Sequence, residues 1–394
     1  MELPLSTQSP GFDIFCKVID NYGDIGVVLR LAKELRRTLP GETSIRVIVN
    51  SLKELKVLCP AIKERRPMQQ WGGLTFIRED FFLANFRNPG PAPLILQTFG
   101  CELPEEYLEV AREKSKLLVN IEYLTGEKWA EGCHLKESPG PGTLRKYFYF
   151  PGFTPESGGI LSRPHLSERI RKNPEKYRFK YFGSFGAGED ALRGTVFSYE
   201  RDFSNFFEAL RLLDRPVLLL VIGEKAGNSV RKNLSFFHKK DFGNIYKCGK
   251  IELKCVDFFN QDMYEELVDA ADFNLARGED SAAIAAASGK PYLWELYPQE
   301  GNAQMEKLEG FLRVYGKFWD RESPQWEKTA ALFREYNDRS QGTQDPSVES
   351  WLHYFRNLDA IASVHEQFAA ELTTRCNLLE KLKSFIQEYS GGKL

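Results

Sequence analysis

Short apolar runs alternate along most of the chain with stretches in which apolar residues recur every three or four positions. The run FDIFCKVI predicts a strand, and from Ile25 the apolar positions Val28, Leu31 and Leu35 recur at helical spacing, which predicts a helix after it. SIRVIVN, PLILQTFG and LLVNIEYL are further strand-like runs in the first half. In the second half RFKYFGSF, RPVLLLVIG, NIYKCGKI, FNLARG and PYLWEL predict strands, with helical segments such as FSNFFEALRLL and MYEELVDAA between them. Strands separated by helices need crossover connections, so the pattern predicts parallel pairing and the α/β class.

The stretch from Phe148 to Pro164 concentrates Pro and Gly and interrupts the alternation, so it reads as part of a connection between halves. A chain of 394 residues exceeds what one core organises at roughly 100–200 residues per domain. Two domains are predicted, 1–165 and 166–363, with a cleft between them as the first place to look for a ligand. The remaining 364–394 carry Phe368, Leu372, Cys376, Leu379 and Ile386 at near-helical spacing. They predict one amphipathic helix that packs back on the first domain.

Composition narrows the classes. Lys and Arg number 53 against 55 Asp and Glu, so no basic excess points to nucleic acid. No apolar run approaches the ~18 residues of a membrane span, and MELPLSTQSPGF lacks the basic start and apolar core of a secretory signal. The 7 cysteines are scattered without a CxxC pair, which predicts a reduced, cytoplasmic setting. His134, His165, His238, His353 and His365 show no metal spacing and read as structural or surface residues.

Two stretches carry chemistry. In DNYGDIG, Asp20 follows the first strand and Asp24 stands four residues on, near the start of the helix. One reading is local: Asp24 caps the helix and Asp20 makes a turn contact. The other is chemical. The loop is neither GxGxxG nor GxxxxGK[ST], and two carboxylates repel a pyrophosphate but grip a guanidinium and accept a proton.

The second stretch is NLARGEDSAAIAAASGKPYLWELYPQ. A strand ends at Arg277, and Gly278, Glu279, Asp280 and Ser281 open an Ala-rich helix. An arginine, backbone amides and a hydroxyl at a helix N-terminus suit a phosphate, with the acids able to accept sugar hydroxyls. Capping by Asp280 or Ser281 would explain the acids but not the arginine. Upstream, Phe258, Gln261 and Tyr264 in FFNQDMY suit a base stacked by rings and read by an amide, although aromatics at that spacing also serve a core.

Together with FGCELPEEY, NIEYLTGEKWAEGCH, FPGFTPESGG and FSYE, these stretches resemble the EarP family, the protein-arginine rhamnosyltransferases of elongation factor P, along nearly the whole chain. The resemblance implies a GT-B glycosyltransferase fold of two Rossmann-like domains facing each other across a cleft. It implies inverting transfer of L-rhamnose from dTDP-β-L-rhamnose to an arginine of elongation factor P, which activates that factor for translating polyproline stretches, with no cofactor or metal. Residue by residue, Asp20 would be the general base and Asp24 would hold or shape the acceptor site. Tyr199, Arg277, Asp280 and Ser281 would contact diphosphate and ribose, Phe258 and Tyr264 would flank thymine, and Gln261 would read its edge. Glu279 would be catalytic or structural.

The chain departs from the family wording at Ala282-Ala283-Ile284-Ala285, where an aromatic and an arginine are usual, and at Asn50 and Ser51, where acids are. The rival expectations are a GT-B enzyme with a different donor or acceptor and a non-catalytic nucleotide-sugar or translation-factor binding protein.

Overall fold

The computed structural model describes residues 10–18, 22–186, 188, 190–240, 244–320, 322–340, 342 and 345–390. They form two compact α/β units, one of Met1–Leu161 with Cys376–Leu394, the other of Ser162–Arg375.

The first unit is built on strands β1 (Pro10–Cys16), β2 (Ser44–Val49), β3 (Met68–Trp71), β4 (Leu74–Arg78), β5 (Leu94–Thr98), β6 (Leu117–Ile121), β7 (Glu137–Ser138) and β8 (Arg145–Tyr149). Their order is β3-β4-β2-β1-β5-β6-β8-β7. All neighbours pair in parallel except the edge strands β3 and β7, which run antiparallel. Helices cover both faces, which explains the nearly continuous apolar runs. On one face Phe12, Ile14 and Cys16 of β1 pack with Ile25, Val28 and Leu35 of the Gly23–Thr38 helix. On the other Phe15 meets Phe82, Ile95 and Tyr107.

A buried ion pair ties that second face together. Arg46 on β2 grips Asp13 on β1 with Nε–Oδ1 at 2.5 Å and Nη2–Oδ2 at 2.7 Å. Asp13 Oδ2 also accepts the Tyr107 hydroxyl at 2.6 Å and the Ala92 N–H at 2.9 Å. Burial, then the facing Asp13 carboxylate, push the Tyr107 hydroxyl well above its ordinary value. Removing one partner strands a charge in the interior, so Asp13→Ala should lose about 3–5 kcal/mol of stability in equilibrium denaturation. A variant as stable as the parent would show that the cluster contributes nothing net.

The second unit contains β9 (Leu192–Val196), β10 (Val217–Ile222), β11 (His238–Lys239), β12 (Ile245–Cys248), β13 (Ile251–Val256), β14 (Phe273–Arg277) and β15 (Tyr292–Glu295), ordered β11-β12-β13-β10-β9-β14-β15. The five strands from β13 to β15 in that order pair in parallel.

Two segments differ from expectation. RFKYFGSF is not a strand: Pro174–Phe182 is a helix with Pro174 in its first turn, followed by a 3-10 turn. Tyr177, Tyr181 and Phe182, at helical spacing, are buried, while Phe179 is 79% exposed.

The terminal run is two helices, Leu358–Thr374 and Leu378–Ser390, rather than one. Between them the backbone is extended: Ile160 N–H donates to the Cys376 carbonyl at 2.7 Å and Leu378 N–H to the Ile160 carbonyl at 2.9 Å. Asn377 Oδ1 then accepts the Glu380 N–H at 3.3 Å, a cap that restarts the helix. Leu378, Leu379, Leu382 and Ile386 enter the core of the first unit. Among the described residues no helix is long and apolar enough to cross a membrane.

Candidate active site

Each sheet reverses its winding once near its centre, and ligands of doubly wound sheets bind outside the carboxyl ends of the strands at that point. In the second unit the reversal lies between β9 and β14, because β10 and β13 follow on one side of β9 and β14 on the other. The segments leaving these two strands are Phe197–Tyr199 and the Gly278–Ser288 helix.

Arg277, the last residue of β14, is the centre of what gathers there. Its guanidinium carbon lies 4.3 Å from the ring centroid of Phe197, 5.2 Å from that of Tyr199 and 5.9 Å from that of Phe258. Nη1 donates to the Ser198 carbonyl at 2.8 Å. Ring faces and one carbonyl thus fix the direction of the side chain. Gly278 has φ +67°, and a Cβ there would stand 3.2 Å from the Tyr199 hydroxyl. The left-handed turn needs glycine and brings that hydroxyl to the start of the helix, whose first N–H groups lack intrahelical partners. Guanidinium, hydroxyl and helix N-terminus therefore converge on one place, which suits a diphosphate.

The rest of the motif is arranged around this point. Ser281 is buried and its hydroxyl donates back to the Arg277 carbonyl, which stiffens the turn. Glu279 forms an ion pair with Lys307 of the Gln304–Tyr315 helix, and Asp280 lies half-buried in the first helical turn. Phe197 meets Phe258 edge-on at 5.9 Å and Tyr264 at 5.6 Å. Gly223, at φ +77°, allows the close approach of Phe258, since a Cβ there would stand 2.9 Å from the ring. Gln261 and Tyr264 are both buried on the Gln261–Ala270 helix, whose start Asn260 caps by accepting the Met263 N–H at 3.0 Å.

In the first unit the winding reverses between β1 and β5. Asp24 sits in the first turn of the Gly23–Thr38 helix and is only 4% exposed. Burial and then the Asp24 charge raise the Cys16 thiol far above its ordinary value. Asn50 joins the ends of β1 and β2: its Oδ1 accepts the Val18 N–H at 2.9 Å and its Nδ2 donates to the Val18 carbonyl at 3.3 Å. A carboxylate could not make the second bond, so the departure at Asn50 has a local function. Asp20 lies outside the described residues.

The structure thus joins Phe258, Tyr264 and Arg277 through Phe197, brings Tyr199 to the group through Arg277, and sets Glu279, Asp280 and Ser281 on the next helical turn. Ala282, Ala283, Ile284 and Ala285 are all buried, and their helix packs on Leu358–Thr374, so the altered wording fills a packed interior. Sequence reasoning missed Phe197, Lys225 and Lys307. Phe197 had a signal, since residues two apart in the extended FSYE share a face with Tyr199. Lys225 Nζ lies 5.5 Å from the Tyr199 ring centroid. Among the described residues no group of three His, Cys, Asp or Glu side chains is placed to hold a metal ion.

Comparison with known proteins identifies the family. The family model described as Elongation-Factor P (EF-P) rhamnosyltransferase EarP matches residues 12–387. A protein-arginine rhamnosyltransferase of Pseudomonas putida is 36% identical over 313 residues, covering 77% of this chain and 81% of that protein. One from Shewanella oneidensis is 31% identical over 390 residues, covering 93% and 94%. A solved structure concerned with EarP-mediated arginine glycosylation of translation elongation factor EF-P covers 95% of this chain and 98% of its own, at TM-score 0.61 and 23% identity. That likeness is one of fold, two α/β units of the GT-B class.

Proposed function

This chain belongs to the EarP family of elongation factor P rhamnosyltransferases, and from that premise we propose that it moves L-rhamnose from dTDP-β-L-rhamnose to a guanidino nitrogen of an arginine in elongation factor P, with inversion at the anomeric carbon. The observation that carries the donor half of this reading is the direction of Arg277, held by ring faces and the Ser198 carbonyl beside the Gly278 helix start.

In the reaction the nitrogen lone pair attacks the anomeric carbon as the bond from that carbon to the phosphate oxygen breaks, and the electron pair leaves with the diphosphate. Arg277 and the helix N-terminus stabilise the charge that develops there. The guanidinium pKa exceeds ~12, so a carboxylate cannot remove its proton beforehand. Asp20 instead aligns the acceptor and takes the proton as or after the C–N bond forms, while Asp24 shapes the acceptor site. Phe258 and Tyr264 flank the thymine, Gln261 reads its edge, and Asp280 meets the ribose.

Leaving-group stabilisation by Arg277 makes a metal unnecessary in this scheme. Transfer should therefore be unchanged after exhaustive chelation, and activity that returns only with added Mg²⁺ would refute that element. The wording at Ala282–Ala285 raises a different nucleotide sugar as the second reading. A binding panel of dTDP-, UDP- and GDP-sugars separates the two: dTDP-β-L-rhamnose should bind most tightly, and preference for another donor would replace it.

A further inference from the structure

Glu295, the last residue of β15, is fully buried. Its Oε2 accepts the backbone N–H of Tyr199 at 2.9 Å. Its Oε1 receives Arg201 Nη1 at 3.3 Å and is also bonded by Arg339 Nη2. In the sheet Glu295 stands opposite Arg277 on β14, and β14 in turn pairs with β9, from which the Tyr199 segment departs. The carboxylate therefore spans from β15, past the strand end that carries Arg277, to the segment that carries Tyr199.

The surroundings of this carboxylate are rigid. The Arg201 guanidinium lies 3.6 Å from the Tyr336 ring centroid and its Nη1 also donates to the Tyr336 carbonyl at 2.9 Å. Asn337 fixes the end of β15 by accepting the Leu296 N–H at 2.8 Å and donating to the Trp294 carbonyl at 2.8 Å. A buried carboxylate is tolerated only when its charge and its hydrogen bonds are both met. Two guanidiniums meet the charge. The bond to Tyr199 N–H is a separate contact, and it leads to the donor site.

We propose that Glu295 is a positioning residue for the transfer reaction: its carboxylate clamps the Phe197–Tyr199 segment, and so holds the Tyr199 hydroxyl and the Ser198 carbonyl that aims Arg277. The inference rests on the donor-site reading given above. It acts through Tyr199 and Arg277 and needs no contact between Glu295 and the substrate.

Two substitutions separate the clamp from simple charge pairing. Glu295→Gln keeps the reach and an oxygen that can accept the Tyr199 N–H, but loses the charge. Glu295→Asp keeps the charge for both arginines, but its arm is about 1.5 Å shorter. For each variant, thermal stability, affinity for dTDP-β-L-rhamnose and amide exchange over residues 197–201 are measured. The clamp predicts opposite orders. Stability falls more in Glu295→Gln, whereas affinity falls more in Glu295→Asp, by about tenfold, with faster Tyr199 exchange, because a buried N–H has lost its acceptor.

In Glu295→Asp the loss should appear in the donor KM more than in kcat. The clamp is overturned if affinity follows stability, with Asp the better binder, or if both variants keep parental affinity and exchange. A parent chain that does not bind dTDP-β-L-rhamnose refutes the donor assignment instead, and the order of amide exchange then decides the clamp by itself.

Discussion

Replacing Arg277 with alanine should weaken binding of dTDP-β-L-rhamnose by about a hundredfold while leaving the chain folded, since about two charge-assisted hydrogen bonds to the diphosphate are lost. The side chain is only half-buried, and the Phe197 ring and the Ser198 carbonyl beside it carry no net charge. The expected loss is therefore one of affinity and not of stability. Arg277→Lys should fall between the two, because an ammonium keeps the charge but neither the planar fork nor the stacking on Phe197. Calorimetric titration of the donor decides the point, and an alanine variant with parental affinity would remove Arg277 from the phosphate site.

The second large effect falls on chemistry and spares binding. Asp20→Asn should lower transfer by about 10²–10⁴-fold, the range for loss of a general base, with donor affinity nearly unchanged. The amide keeps the size of the carboxylate but neither attracts a guanidinium nor accepts its proton. Single-turnover transfer measured beside donor titration separates the two. Equal loss in both would show that Asp20 supports the donor site or the fold, and would leave the acceptor side without its base.

The parts of the architecture that were legible in the sequence are those where one physical signal dominates. Strands β5, β6 and β10 are buried on both faces; β10 reads as an unbroken apolar run, and β5 and β6 open on three apolar residues each. Strand β9 escaped notice although it is central and leads to Tyr199. Arg193 and Gly194 interrupt its apolar character, and Gly194 is required because a Cβ there would stand 2.2 Å from the Phe273 ring. The break before Leu378 was hidden because Cys376 and Leu379 continue the helical period across it. Its signal was Asn377 followed three residues later by Glu380, an N-terminal capping pattern inside an apolar repeat.

The site shows the same division. Sequence identified the residue types, an arginine before a glycine at a helix start and rings at close spacing. It could not show that Phe197 joins Arg277, Phe258 and Tyr264, because that convergence needs β9 beside β14. Glu295 was legible only as one polar residue within PYLWEL. Its partners Arg201 and Arg339 lie 94 and 44 residues away along the chain, and no local pattern encodes such contacts.

The central claim is that this chain places rhamnose on an arginine of elongation factor P. Intact-mass spectrometry of that factor after incubation with the protein and dTDP-β-L-rhamnose tests it most directly. The account predicts a gain of a single deoxyhexose, abolished when the acceptor arginine is changed to lysine. An unchanged mass, with donor binding demonstrated in the same sample, would contradict it.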